Sequence, residues 1–230
     1  MRPEILSSLL NARADKQQVA LVSDLESGDQ SLVFRNRTEG SLELDDDTIA
    51  AARDALRNDK SGRLRTGNRP LFAQVFNPPK RMIIVGAVHI AQPLVTFAQA
   101  SGYEVVIVDP RGAFATRDRF PYVTLSEHWP DDALETLGVD NRTAIVTLTH
   151  DPKLDDPALH IALRSEAFYI GSLGSKRTHA GRVERLIEAG YSESEIDRIY
   201  APIGLAINAK SPAEIAVSIM AQVTQVLHGA

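Results

Sequence analysis

Several residues that could bind a ligand or carry out chemistry directly follow apolar runs in the second half of the sequence. They are Gly86, His89, Asp109, His150 and Asp151. Carboxylates accept hydrogen bonds from ligand hydroxyls, and a histidine can donate to a ligand or transfer a proton. If the apolar runs are parallel strands, these residues lie beyond the strand ends, where ligands of such sheets bind. Asp151 precedes a proline and fits helix initiation, so simple capping is an equal alternative for it.

The segment "GAVHIA", residues 86–91, partly matches the dinucleotide fingerprint G-x-G-x-x-G/A. Gly86 meets the first position and Ala91 the last, but Val88 occupies the middle position, where a glycine lets a pyrophosphate approach the backbone. Asp109 stands where an acid usually holds ribose hydroxyls. The pattern favours a nucleotide-type ligand and disfavours NAD in its ordinary pose. The alternative is that Gly86 only makes a turn and Asp109 only caps the next segment.

A second candidate segment, "GSLGSKR", precedes a helical pattern and combines glycines, a hydroxyl and two cations. Free backbone N–H groups at a helix start favour anions, so this segment predicts a phosphate cradle. Its members are Gly171, Gly174, Ser175, Lys176 and Arg177. Arginines in the loop after Asp109 could also recognise phosphate or carboxylate groups; they are Arg111, Arg117 and Arg119. For both segments the alternative is a surface turn that carries solvated charges.

Alternating strand-like and helix-like runs from residue 81 onward predict the elements that position these residues. The continuous apolar runs indicate an α/β, Rossmann-like parallel sheet with helices on both faces. Before the "NPPK" segment we expect a small α+β domain, residues 1–78, with a hairpin at Ser27–Asp29 and a helix capped by Asp47. Residues 79–230 form the second domain. It ends in a helix that starts at Ser211-Pro212, and Pro202 with Gly204 makes a turn that could be either ligand-facing or structural.

Composition narrows the class of protein. Hydrophobic residues make up 43% and charged residues 24%, the balance of a soluble globular chain. The net charge of −5 argues against nucleic acid as a partner. The absence of cysteine excludes disulfides and thiolate chemistry. No signal peptide or membrane span is indicated, so we expect a cytoplasmic protein, and a homodimer on general grounds.

Four ordered segments resemble the XdhC/CoxI family of accessory proteins for molybdenum hydroxylases. They are "GAVHIAQPLVTFAQASGYEVVIVDPR", "THDP", "YIGSLGSKRTHAGRVERL" and "IYAPIGLAINAKSPAEIAVSIMAQV". The resemblance implies a Rossmann-like domain that binds molybdenum cofactor and delivers it to an apo-hydroxylase such as xanthine or carbon monoxide dehydrogenase. It also implies a cysteine desulfurase as a further partner. Two departures are Val88 in the glycine loop and Ser41 where the family carries a cysteine, which makes the chain similar to short CoxF-type forms.

Three functions therefore stand open at this point. In the first, a non-catalytic chaperone holds molybdopterin or its cytosine dinucleotide form in a crevice lined by the residues named above, with the two histidines near the reactive end. In the second, the chain is an NAD(P)-dependent oxidoreductase, although no hydride-transfer constellation is present. In the third, it is a degenerate partner subunit that no longer binds a ligand.

Overall fold

The computed structural model of the chain describes residues 2–67 and 69–229. The backbone divides into two compact units, one up to Pro78 and the other from Pro79. Within the described residues, no helix combines the length and the hydrophobicity needed to cross a membrane.

In its described residues, the first unit is a five-stranded antiparallel sheet with two helices. Its strand order is β3-β2-β1-β5-β4. In chain order the elements are α1 (Pro3–Ala14), β1 (Val19–Asp24), β2 (Gln30–Phe34), β3 (Thr38–Gly40), α2 (Asp46–Arg57), β4 (Gly62–Arg63) and β5 (Leu71–Phe76). This arrangement confirms the small α+β domain predicted for the N-terminal part.

Local signals explain most of this unit. β1 and β2 pair as a hairpin whose turn contains Gly28 at φ +76°, a left-handed conformation that glycine adopts at low cost. The cap of α2 lies earlier in the chain than predicted: Asp45, not Asp47, accepts the backbone N–H of Thr48 at 2.8 Å. Three successive aspartates make either choice plausible from sequence, and only the backbone geometry decides between them.

Up to residue 229, the second unit contains six strands and six helices. In chain order they are β6 (Lys80–Val85), α3 (Ala91–Ala100), β7 (Tyr103–Val108), β8 (Thr124–Ser126), α4 (Pro130–Leu137), β9 (Thr143–Thr147), α5 (Pro152–Arg164), β10 (Tyr169–Ser172), α6 (Lys176–Glu188), α7 (Glu193–Ile196), β11 (Ile199–Tyr200) and α8 (Pro212–His228). The predicted starts of α5 and α8 are confirmed. Asp151 caps α5, and Ser211 forms a capping box with Glu214.

The strands of the second unit form one parallel sheet in the order β11-β10-β9-β6-β7-β8. When β6 to β11 are numbered 1 to 6 and the sheet is read from β8 to β11, this is the 3-2-1-4-5-6 strand order of the Rossmann fold. One hydrophobic cluster joins the sheet to α3 and α8, and a second joins it to α4, α5 and α6. The Rossmann-like sheet with helices on both faces is therefore confirmed. Chain order reverses between β6 and β9, the point where such sheets bind ligands.

Candidate functional site

The turn after β6 stands at this reversal point and requires a glycine. Gly86 has φ +109°, and a Cβ at this position would lie 2.6 Å from the Thr149 methyl carbon. Thr149 comes from the loop after β9, the neighbouring strand. The close approach of these two loops is therefore the reason for a small residue at position 86.

Asp109 and Arg111 brace this turn from the end of β7. The fully buried Asp109 carboxylate accepts the backbone N–H of Ala87 at 2.8 Å through Oδ2. It also accepts three bonds from Arg111, from Nη2 at 2.8 Å, Nε at 2.9 Å and the backbone N–H at 3.0 Å. Each oxygen thus receives two donors of the chain itself. Asp109 offers no free acceptor to a ribose in this arrangement.

The electrostatics agree with this bracing role. Burial pushes the pKa of Asp109 upward, but hydrogen bonds from Arg111 and from the backbone of Ala87 outweigh it and hold the pKa below its ordinary value. The hydrogen bond to Asp109 raises the pKa of Arg111, and the charges of Asp151 and Asp155 add to the same effect. The ends of β7 and β9 are therefore within electrostatic reach of each other.

The residues after Gly86 leave backbone donors available. The Val88 side chain packs against the hydrophobic cluster under α3, so its extra volume is directed toward the core. In the part of the chain that the structure describes, the N–H groups of Val88, His89 and Ile90 donate to no acceptor. The His89 side chain is exposed. This turn can therefore present donors to an anion despite the valine.

The loop after β9 is tied down by its own hydrogen bonds. Asp151 accepts the backbone N–H of Lys153 at 3.0 Å, so the capping alternative describes what its side chain does here. His150 is exposed and has φ +60°, a left-handed conformation uncommon for a non-glycine residue. Thr149 donates its hydroxyl to the buried Asp155 at 2.6 Å. His150 is thus the side chain of this loop that faces solvent.

The turn between β10 and α6 has the features of an anion cradle, with one correction. Gly171 lies inside β10, paired with Val146 and Tyr200, and not in the loop as predicted. It is required for packing, because a Cβ there would lie 2.5 Å from Ile203 Cδ1. The strand continues through Gly171 to Ser172. In the sequence, the glycine had suggested that the strand ends before it.

The other predicted members of the cradle lie in the turn itself and at the start of α6. Gly174 has φ +143°, and Ser175 caps α6 by accepting the N–H of Thr178 at 3.1 Å. Within the described residues, no acceptor meets the N–H groups of residues 174–177. The side chains of Lys176 and Arg177 are exposed in the first helical turn. Free donors and two cations are therefore concentrated at one helix N-terminus.

Two other predicted features are structural. Arg119 donates to the backbone carbonyls of Ala87 at 2.8 Å and Phe114 at 2.6 Å, so it closes the loop after β7, while Arg117 is exposed. Gly204 has no room for a side chain beside Ser218, and its N–H donates to Gln222. The turn that contains Gly204 is thus packed on α8, which supports the structural alternative.

Sequence reasoning missed two buried ionisable residues. Asp155 and Arg182 are 1% and 2% exposed, on the inner sides of α5 and α6. A signal was available, because Asp155 occupies a position on the apolar stripe of α5 that also contains Leu159 and Ala162. A charge at such a position is uncommon without a partner.

The four turns lie along one edge of the sheet, in the order β7, β6, β9, β10. Asp109 bonds directly to Arg111 and to the N–H of Ala87, the residue after Gly86. The charge of Asp151 also acts on Arg111. Gly174 to Arg177 follow the next strand. Among the described residues, no cluster of three or more His, Asp or Glu side chains is arranged to hold a metal ion.

Comparison with known proteins places this geometry in a family. Residues 82–223 match the family model of the XdhC Rossmann domain. The molybdenum cofactor insertion chaperone PaoD of Escherichia coli is 34% identical over 70% of this chain, and a probable xanthine dehydrogenase subunit of Bacillus subtilis is 33% identical over 67%. The chain spans 45% of the length of each of these two relatives.

A solved structure agrees across both units. The crystal structure of a xanthine dehydrogenase from Bacillus halodurans has a TM-score of 0.70 and 26% identity, and the match covers 98% of this chain and 64% of that one. The family match covers most of the second unit, and the Rossmann strand order of that unit agrees with it. The chain belongs to the XdhC family.

Proposed function

We propose that this protein is an accessory factor for a molybdenum hydroxylase and binds molybdenum cofactor as cargo for delivery to the apo-enzyme. The observation that carries the proposal is the edge with two turns of free backbone donors, at residues 88–90 and 174–177, beside exposed cations. Such an edge suits a ligand with phosphate groups. The names of the related proteins from Escherichia coli and Bacillus subtilis point to the same ligand and enzyme class.

The turn before α6 is the proposed phosphate site. Gly174 and Ser175 supply backbone donors, and Lys176 and Arg177 supply positive charge next to the helix N-terminus. Together these groups can bind the terminal phosphate of molybdopterin or the pyrophosphate of its cytosine dinucleotide form. Gly171 contributes indirectly, because it lets β10 pack against Ile203 and so sets where the turn begins.

The other strand ends are assigned supporting and orienting roles. Asp109 holds the Gly86 turn through the Ala87 N–H, and it fixes Arg111, whose side chain is 38% exposed and can contact an anionic ligand. His89 and His150 are exposed on neighbouring loops, and in this proposal they contact the reactive end of the bound pterin. Asp151 orients the loop that carries His150. In this scheme the chain binds and orients its cargo without making or breaking a covalent bond.

The partners follow from the cargo. A molybdenum hydroxylase subunit receives the cofactor, and a cysteine desulfurase would act on the bound cofactor before transfer. Ser41, which the resemblance puts in the position of the family's cysteine, is exposed between β3 and α2 of the first unit. A serine hydroxyl is a much weaker metal ligand than a thiolate, so we do not assign Ser41 to the cargo.

Direct binding of molybdenum cofactor released from a purified molybdenum hydroxylase tests the proposal. The full chain should bind the released cofactor, and the double variant Lys176→Ala/Arg177→Ala should bind it about tenfold more weakly, equal to about 1.4 kcal/mol. Added salt should weaken binding to the unmodified chain more than to the variant, because fewer charges are involved in the variant.

Arg164→Ala is the matched control, since Arg164 is an exposed cation in the last turn of α5, away from its N-terminal end. It should bind as the unmodified chain does. A chain that binds no cofactor, yet still supports hydroxylase activity in cells, would identify a non-binding partner subunit instead.

A nicotinamide cofactor in the ordinary dinucleotide pose is disfavoured by the same geometry. That pose requires a free acid at the end of the second strand, and all the acceptor positions of Asp109 are already used. Titration with NADH should therefore give no saturable signal. Saturable binding that Asp109→Ala abolishes would contradict this conclusion.

A further inference from the structure

Two buried charges lie behind the proposed ligand edge and belong to none of the roles assigned above. Asp155 is in the first turn of α5 and Arg182 is in the middle of α6. Their exposures of 1% and 2% remove both from direct contact with solvent. Charged residues are seldom buried to this degree unless they are paired.

Asp155 holds the turn after β9. Its Oδ1 atom accepts the Thr149 hydroxyl at 2.6 Å and the Thr149 N–H at 3.3 Å. Thr149 is the residue whose methyl group sits against Gly86, so this bond also sets the packing of the glycine turn. The second oxygen, Oδ2, is buried and has no partner among the residues that the structure describes.

Arg182 holds the turn after β10. Its Nη2 atom donates to the carbonyl of Leu173 at 3.1 Å, and Nη1 lies 3.5 Å from His179 Nδ1. Leu173 directly precedes Gly174, the first residue of the proposed phosphate site. The Nε atom of Arg182 is buried and, like Asp155 Oδ2, has no partner in the described part of the chain.

The two groups act on each other. Burial raises the pKa of Asp155, and the charge of Arg182 opposes that rise. Burial lowers the pKa of Arg182, and the charge of Asp155 opposes that fall. One position further along α5, Asp156 pairs with Arg185 of α6 at 2.6 Å, so the two helices face each other at this level.

One buried acceptor and one buried donor of opposite charge, neither with a partner among the described residues, thus lie on two facing helices within electrostatic reach of each other. Buried polar atoms are nearly always satisfied, by protein or by ordered water. We propose that Asp155 and Arg182 form a positioning pair, joined by one buried water between Asp155 Oδ2 and Arg182 Nε, that fixes the Thr149 turn relative to the Leu173 turn. Its effect on cargo binding rests on the proposed function, whereas its effect on the turns does not.

Hydrogen exchange of the ligand-free full chain tests the coupling. In Asp155→Asn, the amides of Leu173 and Thr178 should exchange about tenfold faster because the link to Arg182 is lost, although these amides donate to Thr147 and Ser175 and not to Asp155. In Arg182→Gln, the amide that should exchange faster is that of Asp151, which donates to the Thr149 hydroxyl oxygen. The rest of the parallel sheet should keep its protection.

Asp156→Asn is the control, because it removes the outer pair with Arg185 and leaves the inner pair in place. It should not alter exchange at Leu173. Effects of Asp155→Asn that stay within its own turn, or that spread through the whole sheet, would overturn the coupling. So would an equal effect of Asp156→Asn.

Two further measurements complete the test. A high-resolution crystal structure should show one water within hydrogen-bond distance of Asp155 Oδ2 and Arg182 Nε. A direct ion pair or an empty gap would refute the bridge.

The double variant Asp155→Asn/Arg182→Gln should bind released cofactor no more weakly than the weaker-binding single variant, because both changes break the same link. Additive losses would contradict the pair. If neither the unmodified chain nor any variant binds cofactor, the proposed function fails. The hydrogen-exchange result would still decide whether the Thr149 and Leu173 turns are coupled.

Discussion

Replacing Asp109 with asparagine should destabilise the second unit strongly while changing its volume very little. The carboxylate accepts four hydrogen bonds, one from Ala87 and three from Arg111. An asparagine keeps one acceptor oxygen, and its amide nitrogen would face two donors. At least two charge-assisted bonds are lost, each contributing about 1.5–3 kcal/mol in general.

The magnitude has to be reduced for solvent screening, because the Arg111 side chain is 38% exposed. We therefore expect the free energy of unfolding to fall by about 3 kcal/mol, the lower end of the sum of two such bonds. For a chain of this size, each kcal/mol corresponds to about 2–4 °C in Tm, so Tm should fall by about 6–12 °C.

The effect should also have a defined pH dependence. In the folded protein the pKa of Asp109 lies below its ordinary value. The stability that its ionised form contributes is therefore fully present above the pKa of an aspartate in the unfolded chain, about 3.9. It is lost only as pH falls through the lower, folded pKa. The difference between the unmodified chain and Asp109→Asn should thus be constant between about pH 5.5 and 8 and shrink at more acid pH.

Urea unfolding followed by the fluorescence of Trp129, the only tryptophan in the sequence, measures this difference in the second unit. Asp118→Asn is the control, since Asp118 is an exposed acid in the loop after β7. It should leave the midpoint unchanged. An Asp109→Asn variant as stable as the unmodified chain at pH 7 would show that the buried carboxylate does not brace the turn.

Three other expectations follow from the same packing. Gly171→Ala should lower the free energy of unfolding by about 1–3 kcal/mol, because the added methyl group overpacks against Ile203. The control Gly112→Ala should leave it unchanged in the same urea assay, since the nearest atom to a Cβ there would be 3.6 Å away. Ser211→Ala should lower it by about 1 kcal/mol, because α8 loses its cap, and a loss below a few tenths would contradict that role. Burial raises the pKa of Tyr169, so its phenol should stay protonated in alkaline solution until the chain unfolds; Tyr169→Phe should leave the phenolate absorbance of the folded protein unchanged.

Local chemistry made much of the fold readable in advance. Ser211-Pro212 followed by Glu214 starts α8 as expected, and the apolar runs that begin near residue 81 form the strands of one parallel sheet. These signals act over a few residues, since a cap or a turn is satisfied by its own neighbours. Where two local solutions compete, as among the aspartates at 45–47, sequence reasoning selected the wrong cap.

The candidate site depended on partners that are distant in the chain. Asp109 was predicted as a free acceptor, but Ala87, 22 residues earlier, and Arg111 use its oxygens. Gly171 was predicted in a loop, but its conformation follows from pairing with β9 and β11 and from the side chain of Ile203.

The sequence by itself determined the fold class, the strand ends at which ligand contacts are expected and the family to which the chain is similar. The tertiary structure decided which polar atoms at those ends are already bonded and which are free, including the buried Asp155 and Arg182. The physical reason is that hydrophobic periodicity and turn chemistry are local, whereas satisfaction of a buried charge depends on the three-dimensional neighbours that the sheet brings together.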